Sequence, residues 1–162
     1  MKSIVAIYDS HWTALDAVEV FKKIGYPVNQ LSIIGQARVA KKYTSQKFVG
    51  PKKKEDTFCG IALDSTLRVL HGAGIFDVPG YGFIFGAGAV KKEIAGIVVG
   101  FAGDGLVSIL SKVGLKKEKV KKYCEHIIAG RFLVVAQGNE MEIETAKNIH
   151  HKRGKHLKLY IQ

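Results

Sequence analysis

The chain has 162 residues, 47% of them hydrophobic and 24% charged, which fits one globular domain and excludes a disordered or collagen-like chain. Its net charge is +11, from 25 basic and 14 acidic residues. This excess favours an anionic partner such as nucleic acid, anionic lipid or an acidic protein. A lysine-rich, solvated surface without a specific partner gives the same net charge, so the charge alone does not decide between this interpretation and an anionic partner.

The N-terminus and the cysteines bear on the cellular compartment. Asp9 follows an apolar run of only five residues, which is too short for a signal peptide. Cys59 and Cys124 do not form a CxxC motif, so the sequence shows no disulfide framework. We therefore expect a cytoplasmic protein in which Cys124 is a small, buried hydrophobic residue.

The first 35 residues predict a βαβ unit. β-Branched and aromatic side chains over residues 3–8 predict a strand. Ser10 is a suitable N-cap for the helix that follows, and Gly25 is a suitable residue to end it. Residues 28–34 then predict a second strand.

The C-terminal segment repeats this pattern. Residues 131–137 predict a strand, and Asn139 with Glu142 forms a capping box at the start of a helix. Gly154 ends that helix, and residues 156–161 predict a final strand. Two such units together predict an α+β, ferredoxin-like βαβ…βαβ sandwich, with helices on one face of a four-stranded antiparallel sheet.

The remaining residues form a large Gly-rich helical insertion in this single domain of residues 1–162. The first unit occupies 1–35, the insertion 36–130 and the second unit 131–162. Within the insertion, VPGYGFIFGAG predicts a turn followed by a strand or loop. A helix is expected over residues 93–111, and a basic amphipathic helix from 115 or 116 to 129.

The Gly-rich segment IAGIVVGFAGDGLVSIL, residues 94–110, admits three interpretations. A membrane span needs about 20 apolar residues, whereas this run has 17 and contains Asp104, whose burial in lipid is costly. Peripheral attachment through the insertion and its lysines stays open. A nucleotide-binding loop requires a GKS or GKT motif, or a position in the first βα turn, and the segment has neither.

The third interpretation is a close-packed helix outside the membrane. A glycine costs a helix about 1 kcal/mol relative to alanine, so several glycines indicate close approach to another helix or sheet. A helix this apolar needs cover on most sides, which a small domain supplies poorly. We therefore predict a homo-oligomer, with a dimer favoured. The predicted self-association residues are Gly96, Gly100, Gly103 and Asp104.

Two stretches carry a family resemblance: VPGYGFIFGAGAV with the Gly/Ala-rich helix after it, and LVSILSKVGLKKEKVKKYCEHIIAGRFLVVAQG. Over residues 75–160 the chain resembles a bacterial general stress protein family, whose members are often labelled heat-induced or low-temperature-induced. It departs from the family pattern at two positions. Cys124 interrupts the usual Tyr-Glu pair, and Ala87 stands where the family tends to have proline. The resemblance implies a stress-associated role and little chemistry. The matching positions are Leu110, Gly114, Tyr123, Glu125, Ile128, Gly130, Leu133, Val134 and Val135.

Basic residues occur in three groups, PKKKED, KKEKVKK and HHKRGK. They indicate binding to nucleic acid or to an anionic membrane surface, although the RNA-recognition signature is absent from the sequence. The candidate anion-binding residues are Lys52, Lys53, Lys54, Lys117, Lys121, Lys122, Lys152 and Arg153.

The sequence supplies no catalytic, cofactor-binding or metal-binding motif. No nucleophile and base are spaced in a way that supports catalysis. His150 and His151 are adjacent, so on a helix they would diverge and not ligate one metal, and we expect them to belong to a basic surface patch. The leading hypothesis is a non-enzymatic, stress-associated protein that acts by self-association or docking through its Gly-rich insertion. The alternative is an anion-binding module for nucleic acid or an anionic membrane surface.

Overall fold

The computed structural model describes residues 2–36, 73–78, 82–89 and 105–162. These residues form six strands and four α-helices. In chain order they are β1 Lys2–Tyr8, α1 His11–Lys23, β2 Leu31–Gln36, β3 Ala73–Val78, β4 Gly82–Gly88, α2 Gly105–Lys112, α3 Lys117–Ile128, β5 Phe132–Gly138, α4 Glu140–Arg153 and β6 Lys158–Ile161.

The strands form one antiparallel sheet in the order β3-β4-β2-β5-β1-β6. The two βαβ units interleave at its centre, where β1 pairs with β5 along its whole length, from Lys2 opposite Gly138 to Tyr8 opposite Phe132. The predicted four strands are thus adjacent, and the sheet is larger than predicted. The segment 73–88 adds the hairpin of β3 and β4 to the edge formed by β2.

Helices cover both faces of the sheet, whereas the sequence predicted cover on one face only. α1 and α4 pack on the first face, and α2 and α3 pack on the second. Side chains of β1 alternate between the two cores, with Ile4 and Ala6 in the first and Val5 and Ile7 in the second. Two-sided burial explains why this strand is apolar from Ile4 to Tyr8 instead of alternating with polar residues.

Local chemistry places the helix ends where the sequence predicts them. The Ser10 side chain caps α1, and Asn139 and Glu142 form a reciprocal capping box at α4. Two strands start later than predicted. β2 begins at Leu31 because Val28–Gln30 forms a 3-10 turn, and β6 begins at Lys158.

The Gly-rich helix is described only from Gly105 onward, as α2. Leu106, Ile109 and Leu110 of this helix are buried in the second core, against the sheet of the same chain. The predicted self-association residues Gly96, Gly100, Gly103 and Asp104 lie outside the described residues, as do Cys59, Lys52, Lys53 and Lys54. In the part of the chain that the structure describes, no helix is long and apolar enough to cross a bilayer.

Candidate anion-binding site

A cluster of basic side chains lies where the C-terminal end of α3 approaches the edge strand β6. Lys122 and His126 belong to α3, Arg131 lies in the turn after the helix, and Lys158 is the first residue of β6. We call these four residues the α3–β6 cluster. Three separate segments contribute to it, so only the fold brings its members together.

The inner face of α3 is fixed by packing, and this turns the lysines outward. Val120, Tyr123 and Ile127 are fully buried in the second core. Helical spacing then places Lys117, Lys121 and Lys122 on the opposite side of the helix. The predicted anion-binding residues Lys117, Lys121 and Lys122 are all exposed on this outer face.

The turn after α3 places Arg131 beside His126. Gly130 adopts the left-handed conformation, with φ of 89°. The backbone N–H of Arg131 donates to the carbonyl of His126 at 3.0 Å, and that of Gly130 donates to the carbonyl of Ile127 at 3.0 Å. This Schellman motif reverses the chain. The Arg131 guanidinium Nη1 then lies 2.9 Å from His126 Nδ1.

Strand β6 supplies the other side of the cluster. It pairs with the outer edge of β1, with Lys158 opposite Ile7 and Tyr160 opposite Val5. Tyr160 packs edge-on against Tyr123, with 5.5 Å between ring centroids. The Lys122 ammonium lies 5.5 Å from the centre of the Tyr160 ring, a cation–π distance. The aromatic pair therefore holds Lys122 on the same side of the edge as the rest of the cluster.

The electrostatics of the cluster favour the neutral form of His126. A guanidinium only donates hydrogen bonds, so Nδ1 of His126 accepts from Arg131 and carries no proton. Burial lowers the pKa of His126, and the charges of Arg131, Lys158 and Lys122 lower it further. Among the described residues, Glu125 is the carboxylate that acts on the ring, and it opposes this shift. Within the described residues, ion pairs join Lys2 to Glu140 and Arg153 to Asp16, and none includes a cation of the cluster.

The structure separates the predicted basic residues into two distant groups. Lys117, Lys121 and Lys122 lie on the helical layer of the second face, whereas Lys152 and Arg153 lie at the end of α4 on the first. Arg153 Nη2 lies 3.8 Å from Asp16 Oδ2, so its charge is partly compensated. Lys152, Arg153 and Lys155 border an open groove of about 670 Å³ between α1 and α4, with Val20, Ile24 and Ile149 as its apolar lining.

His150 is buried, so its predicted place in a basic surface patch is wrong. Its side chain is fully inaccessible, and its Nδ1 lies 2.7 Å from the hydroxyl of Tyr8 in a hydrogen bond. Burial, with smaller effects of His156 and His151, lowers the pKa of His150 to about 3. Its spacing from Ile143 and Ala146 on the apolar face of α4 was the signal for this burial. Among the described residues, no three potential ligands are arranged to hold a metal ion.

Sequence reasoning found Lys122 but missed His126, Arg131 and Lys158. A signal for Arg131 was present, because Gly130 at the end of a helix indicates a chain reversal that returns the next residue toward the last turn. No comparable signal linked Lys158 to α3, since that proximity depends on the pairing of β6 with β1.

Comparisons with protein-family models, curated proteins and solved structures give no match to this chain. The resemblance to bacterial general stress proteins therefore stays a prediction. The α3–β6 cluster has to be interpreted from its own geometry.

Proposed function

We propose that this protein is a non-enzymatic anion-binding module that binds the phosphate backbone of nucleic acid through the α3–β6 cluster. The observation that carries the proposal is the set of three cations, Lys122, Arg131 and Lys158, that share one surface with no ion-paired carboxylate among the described residues. Lysine and arginine side chains in this arrangement are the usual ligands of nucleic-acid phosphates.

The fold supports backbone contacts over base stacking. The order β2-β5-β1-β6 of the strands from the two βαβ units supports a ferredoxin-like topology for this part of the sheet. RNA-binding sheets of this kind present aromatic residues on an open face. Here α2 and α3 cover the second face and α1 and α4 the first, so a nucleic acid would contact exposed cations of α3 and β6.

The packing of α3 also favours nucleic acid over an anionic membrane as the partner. A helix that binds a membrane surface inserts its apolar side among the lipids. The apolar side of α3 is occupied by contacts with the sheet, through Val120, Tyr123 and Ile127. Its solvent side carries four lysines against Glu118 and Glu125, and this net positive charge favours an electrostatic partner.

Fluorescence anisotropy with a labelled DNA duplex at about 50 mM and 200 mM salt tests the proposal, because counterion release makes phosphate contacts strongly salt-dependent. We expect the triple variant Lys122→Ala, Arg131→Ala, Lys158→Ala to bind weakly. We expect the slope of log affinity against log salt to fall by up to about 2.7, from three lost phosphate contacts.

The matched control removes the same number of charges from the opposite layer, by Lys152→Ala, Arg153→Ala, Lys155→Ala. We expect this control to bind DNA with the affinity and the salt slope of the parent protein, because its α3–β6 cluster is intact. Equal losses in both triple variants would show that net charge alone drives binding and would contradict the proposed site. Binding to vesicles containing phosphatidylserine, without binding to DNA, would assign the cluster to a membrane surface instead.

We also propose, from the sequence alone, self-association or docking through the Gly-rich segment and a stress-associated role. α2 packs on its own sheet, so the predicted interface is restricted to residues 94–104 upstream of it. Native mass spectrometry of the purified protein and of Gly100→Leu tests this proposal. A dimer that Gly100→Leu converts to monomer would support it, and a monomeric parent protein would contradict it.

A further inference from the structure

The hydrogen bond between Arg131 and His126 is an unusual use of a guanidinium. Arginine pairs best with carboxylates and phosphates, which accept two parallel hydrogen bonds. Here Arg131 Nη1 donates to a neutral imidazole at 2.9 Å, and none of the described carboxylates forms an ion pair with it. A neutral acceptor compensates no charge, so the guanidinium stays available for an anion.

We propose that His126, Arg131 and Lys158 form a binding site for one phosphate or sulfate-like oxyanion, and that His126 takes up a proton from solvent when the anion binds. This inference rests on the proposed anion-binding role of the α3–β6 cluster. It specifies an oxyanion as the ligand and couples its binding to protonation of His126.

The proton uptake follows from the hydrogen-bonding capacity of the two side chains. Neutral His126 accepts from Arg131 at Nδ1. Once protonated, the imidazolium donates from both ring nitrogens, so it no longer accepts from Arg131. The guanidinium is then released, and both side chains direct N–H groups to the oxyanion. One proton moves from solvent to Nδ1, and no covalent bond in the ligand forms or breaks.

The charges that face His126 set the direction of this coupling. From α3, Lys122 opposes protonation and Glu125 favours it; from the turn and β6, Arg131 and Lys158 oppose it. The cations prevail in the free protein, since the pKa of His126 is lowered. A bound dianion reverses the local balance, so binding raises the pKa of His126. By linkage, acidification strengthens anion binding to the same extent.

The test is an NMR titration of the His126 ring against pH, with and without sodium sulfate. Sulfate is chosen because it keeps its charge over the titration, whereas inorganic phosphate changes its own charge near neutral pH. We expect saturating sulfate to raise the pKa of His126 by about 1 unit, which corresponds to about tenfold tighter sulfate binding to the protonated form. His151, exposed on the opposite layer, is the internal control and should not respond.

Two variants separate the parts of this inference. His126→Gln keeps a hydrogen-bond acceptor for Arg131 and removes the proton, so at pH 5 it should bind sulfate up to about tenfold more weakly than the parent protein, with no pH dependence between pH 5 and 7. Arg131→Ala together with Lys158→Ala should abolish the sulfate-dependent shift at His126. A His126 titration that is the same with and without sulfate would overturn the inference.

The DNA-binding experiment distinguishes this failure from failure of the proposed function. DNA binding that depends on Lys122, Arg131 and Lys158, but leaves the His126 titration unchanged, would retain the nucleic-acid site and refute the proton coupling. A sulfate-dependent shift at His126 without DNA binding would retain the oxyanion site and refute the proposed function.

Discussion

Two buried tyrosines differ in whether their hydroxyl groups have a partner. Tyr8 and Tyr123 are both fully buried, and burial raises the pKa of each to about 12, so both phenols are neutral. The hydroxyl of Tyr8 is hydrogen-bonded to His150 Nδ1 at 2.7 Å. That of Tyr123 has no partner among the described residues. An unpaired buried hydroxyl costs about 1–3 kcal/mol.

We therefore expect opposite effects from the same substitution at the two positions. Tyr8→Phe leaves His150 Nδ1 unpaired and should lower the free energy of unfolding by about 1–2 kcal/mol. Tyr123→Phe should leave it unchanged or raise it by up to about 1 kcal/mol. Urea unfolding of both variants at pH 7 measures the difference. A loss of more than 1 kcal/mol in Tyr123→Phe would mean that its hydroxyl has a partner.

At the scale of single elements, the C-terminal turn of α3 connects stability with binding. Gly130 has φ of 89°, a conformation that costs other residues about 1–2 kcal/mol. Gly130→Ala should therefore destabilise the protein by about that amount. Because this turn carries Arg131 to His126, the substitution should also weaken anion binding to the α3–β6 cluster.

Gly25 provides a matched control at the end of α1. It closes the same motif with φ of 84°, and an added Cβ there would meet no atom within 4 Å. Gly25→Ala should cost similar stability, measured by urea unfolding, and leave anion binding unaffected. If both variants bind anions equally well, the position of Arg131 does not depend on this turn.

Elements whose signals are local could be predicted from the sequence, whereas their arrangement could not. The caps at Ser10 and Asn139 act within four residues, so the pattern alone reveals them. The addition of β3 and β4 to β2 depends on pairing between distant segments, as does the cover of the second face by α2 and α3. No periodicity specifies which edge or face a segment will occupy. The proximity of Lys158 to α3 was missed for the same reason.

At the scale of the whole molecule, the fully buried His11 and His150 couple folding to pH. Burial lowers the pKa of His11 to about 4 and contributes most to lowering that of His150 to about 3, against about 6.5 in an unfolded chain. The unfolded state therefore binds more protons than the folded state below pH 6.5. The stability that these two neutral histidines contribute is fully present above that pH, and it is lost as the pH falls toward 4 for His11 and toward 3 for His150. His126 acts in the same direction.

We expect the free energy of unfolding to fall by about 4 kcal/mol between pH 7 and pH 5, about 2 kcal/mol from each of His11 and His150. Carboxylates titrate mainly below this window, so histidines dominate it. Urea unfolding followed by Trp12 fluorescence at several pH values measures the loss.

His150→Gln should be less stable than the parent at pH 7. Below pH 6.5, however, its free energy of unfolding should fall less steeply with pH than that of the parent, and the two slopes should differ by about 1.4 kcal/mol per pH unit. The exposed His151→Gln is the control and should follow the parent protein. Parallel curves for His150→Gln and the parent would show that His150 does not remain neutral in the folded protein.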